Sequence, residues 1–324
     1  MINTVRNTVL SVLNKNNYGY LSPSDFNLFA KQAQLEVFES YFYDYNNQIN
    51  KENLRILTPN RGSGTGIADI KKSIEEAIDV FSVTRGLTVD SNNKYFLPSQ
   101  TTTGDDYYLL NKVLVYKDIV TTGTTTSFDA ADNLLIDSGA TFTTQTIAAG
   151  DIVAVENGGV QYVTVVSVDS DTQITVTGTQ FDASGLSYAI YQASTQQNEA
   201  EKVSHSKITM LNNSIYTSPN LTYPVYTQED TLLTAFPSTV DDVGRVVAQY
   251  FRYPRDPQWT YIELSSGEAV FNQSSADYQD FEVPLEDEAT LILKILQYAG
   301  ISIRESDVYQ FGNSEELQDI QEQQ

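Results

Sequence analysis

Cysteine is absent from this chain of 324 residues, and histidine occurs once, as His205. The first absence excludes disulfide scaffolds, zinc ribbons, iron–sulfur clusters and cysteine nucleophiles. The second excludes multi-histidine metal sites. Positive charge is scarce: 19 Lys and Arg stand against 42 Asp and Glu, a formal net charge of −23. Phosphate contacts need cations, so a general grip on nucleic acid is disfavoured. A surface past which DNA slides without sticking is still allowed. No segment approaches the roughly 18 consecutive apolar residues of a membrane span. Met1 to Val12 lacks the continuous apolar core of a signal peptide, which predicts a soluble intracellular product. Aromatic residues are plentiful, with 21 Tyr and 14 Phe. A wholly disordered acidic chain is thereby excluded. At roughly 150 residues per domain, the length suggests two domains.

Ser22-Pro23-Ser24-Asp25 reads as an N-cap, a proline at the first helical position and an acid at the third. Phe26, Phe29, Ala33, Val37, Phe38, Tyr41 and Tyr45 follow as one apolar stripe on a helix of about six turns. A second helix is predicted from Ile67 to Phe81, with Asp69 in its first turn. Composition shifts near Asp105. Tyr107 to Tyr116 reads as a strand, and from Val113 to Thr195 the only basic residue is Lys117. Ile152 to Val155, Val160 to Val168 and Gln173 to Thr177 are β-branched runs separated by Gly158-Gly159 and by Asp169-Ser170-Asp171-Thr172. That is the pattern of antiparallel hairpins, with Tyr188 to Tyr191 closing them. A helix is predicted from Gln197 to Leu211. Extended pieces follow at Pro224 to Thr227, Thr231 to Phe236 and Arg245 to Tyr253, with Gln228-Glu229-Asp230 as a turn. The last helix starts after Pro284, carries Leu291, Ile292, Ile295, Leu296 and Ala299 inward, and ends before Gly300.

These readings give an α+β chain. Residues 1–114 and 194–304 form a mainly helical host with antiparallel β elements. Residues 115–193 are an inserted small all-β domain, sandwich-like or barrel-like. Residues 305–324 are an acidic tail.

Each candidate for chemistry has a structural alternative. Gly62-Ser63-Gly64-Thr65-Gly66 ahead of a helix resembles a phosphate loop. It lacks the Gly-Lys-Ser/Thr ending, so a flexible connecting loop is the simpler reading. His205 would need a serine and an acid brought to it, and no nucleophile elbow is present. An exposed helical histidine explains it. Asp169 and Asp171 fit either calcium or a hairpin turn. Glu286, Asp287 and Glu288 fit acid–base work or a helix start. The densest aromatic and basic cluster is Tyr250 to Trp259. Its Arg252, Tyr253, Arg255 and Trp259, with Tyr261, could stack on single-stranded nucleic acid. A structural corner or a protein interface is the other reading. No catalytic residue, cofactor or metal site is predicted.

Three stretches in the C-terminal part carry a resemblance. They are Tyr253-Pro254-Arg255-Asp256-Pro257-Gln258-Trp259-Thr260-Tyr261, Asp277 to Pro284, and Lys294 to Arg304. With Asp25 to Gln34, they resemble a family of tailed-bacteriophage virion proteins. The likeness is strongest to head-to-tail connector, or ring, proteins of crAss-like podoviruses. It covers about half the chain. Gly150-Asp151-Ile152-Val153 and Val166 to Thr175 likewise resemble a module found in several phage structural proteins.

The resemblance implies a non-enzymatic virion subunit of the portal vertex or neck, assembled in the bacterial cytoplasm. A homo-oligomeric ring of twelve copies would stack below the portal protein. Its partners would be the portal and neighbouring ring or tail proteins. Packaged DNA would pass through the lumen without specific binding, and no membrane would be involved. The alternatives are a tail-tube adaptor, a sheath-like protein, or a virion-borne glycan hydrolase.

Overall fold

A computed structural model describes residues 1–13, 21–57, 70–129, 133–178, 184–265 and 269–302. The glycine-rich loop at 61–66, Ile67 and Asp69, and the acidic tail at 305–324 lie outside the described residues. The chain is α+β. Its helices are α1 (Ile2–Leu13), α2 (Pro23–Leu57), α3 (Ile70–Asp79), α4 (His205–Asn212) and α5 (Glu288–Ser302). Two compact units divide it: Met1–Phe81 with Tyr253–Gln324, and Ser82–Arg252.

The Ser82–Arg252 unit is built from strands. In chain order they are β1 (Ser82–Gly86), β2 (Val89–Ser91), β3 (Lys94–Phe96), β4 (Tyr107–Tyr116), β5 (Ile119–Thr124), β6 (Ser127–Asp129), β7 (Leu134–Ile136) and β8 (Ile152–Glu156). Then follow β9 (Val160–Ser170), β10 (Gln173–Val176), β11 (Ser187–Tyr191), β12 (Gln197–Glu199), β13 (Glu201–Lys202), β14 (Val225–Glu229), β15 (Leu232–Phe236) and β16 (Val246–Arg252). Two sheets, β1-β16-β4-β12 and β13-β14-β15-β3-β2, share one buried core. Val113, Val115, Val246, Ala248 and Tyr250 enter it from the first sheet, and Tyr95, Tyr226, Leu233 and Ala235 from the second.

The remaining seven strands run β5-β11-β8-β9-β10-β7-β6. The two ends of this order, β5 and β6, are separated by only two residues of chain. Thr125 N–H bonds Leu186 on one side, and Thr126 N–H bonds Ile136 on the other. One nearly continuous strand therefore closes the sheet into a small barrel. Alternating Val153, Val155, Val163, Val165, Ile174 and Val176 fill it, which is the inward half of each β-branched run.

The barrel leaves the sandwich and returns at one place. Tyr116 on β4 pairs with Gln197 on β12, and Lys117 N–H bonds the Gln196 carbonyl at 3.1 Å. Asp151 buckles the barrel at the start of β8. Its buried carboxylate accepts from Ala148 N–H (2.8 Å) and Ala193 N–H (2.9 Å).

The other unit holds α1, α2, α3 and α5, with a hairpin of β17 (Tyr261–Glu263) and β18 (Ala269–Phe271). Ser22 caps α2 as its sequence predicts. Its Oγ accepts from Asp25 N–H (3.1 Å) and donates to the Asp25 carboxylate (2.6 Å). The Phe26, Ala30, Ala33, Val37 and Tyr41 stripe is buried. In α1, Ile2, Val5, Val9 and Leu13 form a shorter stripe of the same spacing.

Several sequence expectations are corrected. Helix α2 has 35 residues, because no Gly or Pro interrupts the chain before 57. Gln197 is not helical: β12 pairs with β4, and the helix begins only at His205, after the Ser204 cap. Helix α5 runs through Gly300 to Ser302. The two compact units divide at 81/82 and 252/253, and the predicted insert at 115–193 lies within the second of them. Residues 82–116 and 197–252 join the barrel in one β-rich unit because their alternating runs pair with each other.

Candidate functional site

The aromatic and basic segment predicted as an interface divides between the units. Arg252 ends β16, while Tyr253, Arg255, Trp259 and Tyr261 belong to the helical unit. There, α2 presents Asn27, Lys31 and Gln34. Spacings of four and three place them on one face of the helix. Asn27 grips the Trp259 backbone twice: its Oδ1 accepts from Trp259 N–H (2.9 Å), and its Nδ2 donates to the Trp259 carbonyl (3.2 Å). Lys31 pairs with Asp256 at 2.7 Å. Gln34, buried, donates to the Arg255 carbonyl (2.7 Å) and accepts from Glu282 N–H (2.9 Å). Three polar side chains thus hold the segment along the helix.

Trp259 is only 2% exposed. Its indole N–H donates to Asn3 Oδ1 (3.1 Å), and the Arg6 guanidinium lies 3.7 Å from the ring centre. Tyr261 and Phe271 stack on it at 5.6 and 5.9 Å. Trp259 is therefore a core residue at a structural corner, which corrects its place among surface anchors. Tyr253 and Tyr261 are part-exposed, and Tyr253 lies 6.0 Å from the Phe38 ring.

Asp280 closes the same corner. It accepts from the Met1 ammonium (3.0 Å), Ile2 N–H (2.7 Å) and Phe281 N–H (2.9 Å). Burial opposes its ionisation, but these donors outweigh burial and hold its carboxyl below the ordinary aspartate value. Asp287, in the turn just before α5, ties that turn to α2 by accepting the Tyr41 hydroxyl. Burial first, and that carboxylate second, push the Tyr41 phenol far above its ordinary value.

In the β-rich unit, the barrel meets the sandwich through tyrosines. Tyr191 and Tyr162 donate to the Val243 and Gly244 carbonyls at 2.6 and 2.8 Å. Tyr116 stacks on Tyr191 at 4.8 Å. Gly244 has φ of 66°, and a Cβ there would stand 2.5 Å from Ala154 Cβ. Arg245 is buried and holds the carbonyls of Tyr116 (3.1 Å), Lys117 (3.2 Å) and Thr239 (2.8 Å), with the Asp242 carboxylate at 2.5 Å. Burial outweighs Arg245 and leaves the Asp242 carboxyl above its ordinary value. The sequence places Arg245 at the start of a strand and, with Arg252 and Arg255, among the charges near the aromatic cluster. Nothing local marks a buried arginine.

The other candidates take structural roles. His205 opens α4, exposed, with Nε2 3.4 Å from Glu229. The Asp169 carboxylate accepts from Ser167 (2.9 Å) and Thr175 (2.7 Å), while that of Asp171 accepts from Thr143. These bonds serve the hairpin turn. Among the described residues, no cluster of three or more His, Asp or Glu has the arrangement of a metal site. No described helix is long and apolar enough to cross a membrane. A cleft of about 530 Å³ lies between Arg85, the Thr101–Gly104 turn and Asn157–Gln161. The Arg85 guanidinium is already spent on the Thr103 carbonyl and Asp105.

One surface has no signal in the sequence. After α4, Ile215 and Tyr216 are 95% and 99% exposed, with Met210 and Tyr223 also exposed. The turn carrying them is hydrogen-bonded, Ser218 N–H to the Ser214 carbonyl at 2.9 Å. It presents apolar side chains outward on an ordered backbone.

No protein-family model matches this chain, and no curated protein matches its sequence.

Proposed function

We propose that this chain is a non-enzymatic structural subunit of a phage head-to-tail connector ring. It would stack below the portal around the DNA channel and join capsid to tail. In this reading the helical unit carries the connector resemblance, and the β-rich unit with its inserted barrel supplies contacts to neighbouring subunits, rings or tail proteins.

The observation that carries the reading is the Asn27-Lys31-Gln34 ladder. The segments bearing the phage resemblance come from both ends of the chain, and they converge on one another. Asp25 to Gln34 lies on α2, Tyr253 to Tyr261 runs along it, Asp277 to Pro284 meets it at Gln34, and α5 adds Lys294 to Glu36 at 3.3 Å. The connector resemblance at the two ends of the chain therefore falls on one folded body, while the stretches that resemble a general phage module, Gly150 to Val153 and Val166 to Thr175, lie in the barrel. Charge supports the same reading, since a strongly acidic surface repels phosphate and lets DNA slide.

The test is copy number per purified virion, by quantitative mass spectrometry against portal and major capsid proteins. One copy per portal subunit is expected, about twelve for a twelvefold ring. Many-fold excess would point to a tube or sheath, and absence from virions would overturn the structural reading.

A further inference from the structure

Charge along this chain is segregated. Residues 118–201 form its longest stretch without Lys or Arg, and they contain eleven Asp and Glu. Residues 202–228 follow directly and form its longest stretch without Asp or Glu, with Lys202, His205 and Lys207. The first stretch is chiefly the barrel; the second holds α4 and the turn of Ile215 and Tyr216. Two copies of a chain at −23 repel each other, so a contact between copies is favoured where one side carries no acid.

The two surfaces match in apolar character as well. Val166 on β9 is half-exposed, the one large apolar side chain so exposed on the barrel among the described residues. Asp169 and Asp171 stand exposed at the end of the same hairpin. In the same acid-free stretch as Ile215 and Tyr216, Lys207 pairs with the exposed Glu201 at 2.9 Å and Lys202 with the part-exposed Gln228 at 2.7 Å. Surface pairs of this kind are weak and can exchange partners.

We propose that residues 202–228 of one subunit dock on the β9–β10 hairpin of a second copy. Ile215 and Tyr216 seat beside Val166, and the lysines face Asp169 and Asp171. The contact is heterologous, since the two patches differ, and repetition of such a contact closes a ring when the rotation allows. This inference rests on the connector-ring reading and specifies how its subunits meet.

The cysteine-free chain makes the test clean. Ile215→Cys and Val166→Cys are prepared separately, mixed, and treated with a short bis-maleimide, both in solution and in assembled particles. The expected product is a dimer linked from position 215 to position 166. It should form in the mixture, weaken at high salt, and fall at least several-fold when Tyr216→Asp is added. Both sites are exposed, so folding is preserved; Met210→Cys with Ser167→Cys is the second pair. A 215-to-215 product, a link from 215 to a different protein, or no adduct in either setting would overturn the proposal. If the chain keeps portal stoichiometry in particles while the link is missing, the docking mode fails and the ring reading stands. If the chain is missing from particles, the ring reading fails.

Discussion

Tyr116 and Gln197, where the chain leaves for the barrel and returns, are partners on one ladder. Trp259 and Asn27, which bind each other in the helical corner, are 232 residues apart in sequence. The barrel is thus a module attached at a single gate, fastened by tyrosine hydroxyls, Gly244 and Arg245. The corner is sewn from the first, second and last parts of the chain by side chains of α1 and α2. One region can be removed at adjacent chain ends, and the other exists only when distant segments arrive together.

The largest effect should come from cutting each region. Excising residues 118–195 and joining Lys117 to Gln196 through an Asn-Gly turn should leave the sandwich and the helices folded. Ending the chain at Arg252 should abolish the helical unit. Circular dichroism and limited proteolysis read both outcomes. Collapse of the helical unit in the first variant would break the comparison.

Single substitutions sharpen it. Trp259→Ala should cost the helical unit about 3–5 kcal/mol by denaturant titration, since a large, fully packed ring is lost. Arg245→Met should destabilise the β-rich unit by about 2–3 kcal/mol, because the carbonyls of Tyr116, Lys117 and Thr239 lose a charged donor. Gly244→Ala should cost more than about 1 kcal/mol through its positive φ, with the Ala154 contact adding to it. A neutral result at Gly244 would mean that the gate is loose.

The smallest effect is a slope with pH. The folded Asp280 carboxyl titrates below its unfolded value, so its contribution is complete above about pH 4–5 and is lost as pH falls through the folded value. Asp242 is shifted upward, so its contribution has the opposite sign: ionisation on raising the pH through its titration range disfavours the folded state. Melting temperature against pH should therefore fall less steeply toward acid in Asp280→Asn than in the natural chain. Identical slopes would remove Asp280 from the corner's energetics.

Local signals were legible where one element decides the outcome. The Ser22 cap, the α2 stripe and the strands at Tyr107 to Tyr116 and Ile152 to Val176 follow from spacing and turn residues. What failed depended on partners far away. Gln197 to Glu199 becomes a strand because β4 offers an edge there. Trp259 is buried because Asn3, Arg6 and Asn27 meet it. The closure of β5 and β6 rests on long-range pairing that composition does not encode. The Ile215 and Tyr216 surface was missed for a different reason. Two apolar residues in a polar loop have no periodicity, and only exposure on an ordered turn sets them apart.

The central claim is a ring of this chain at the portal vertex. A cryo-EM reconstruction of that vertex in purified particles tests it most directly. The account predicts a closed ring of this fold directly below the portal, with the helical and barrel units both recognisable. Density for this fold along the tail, or no such density in the particle, would contradict it.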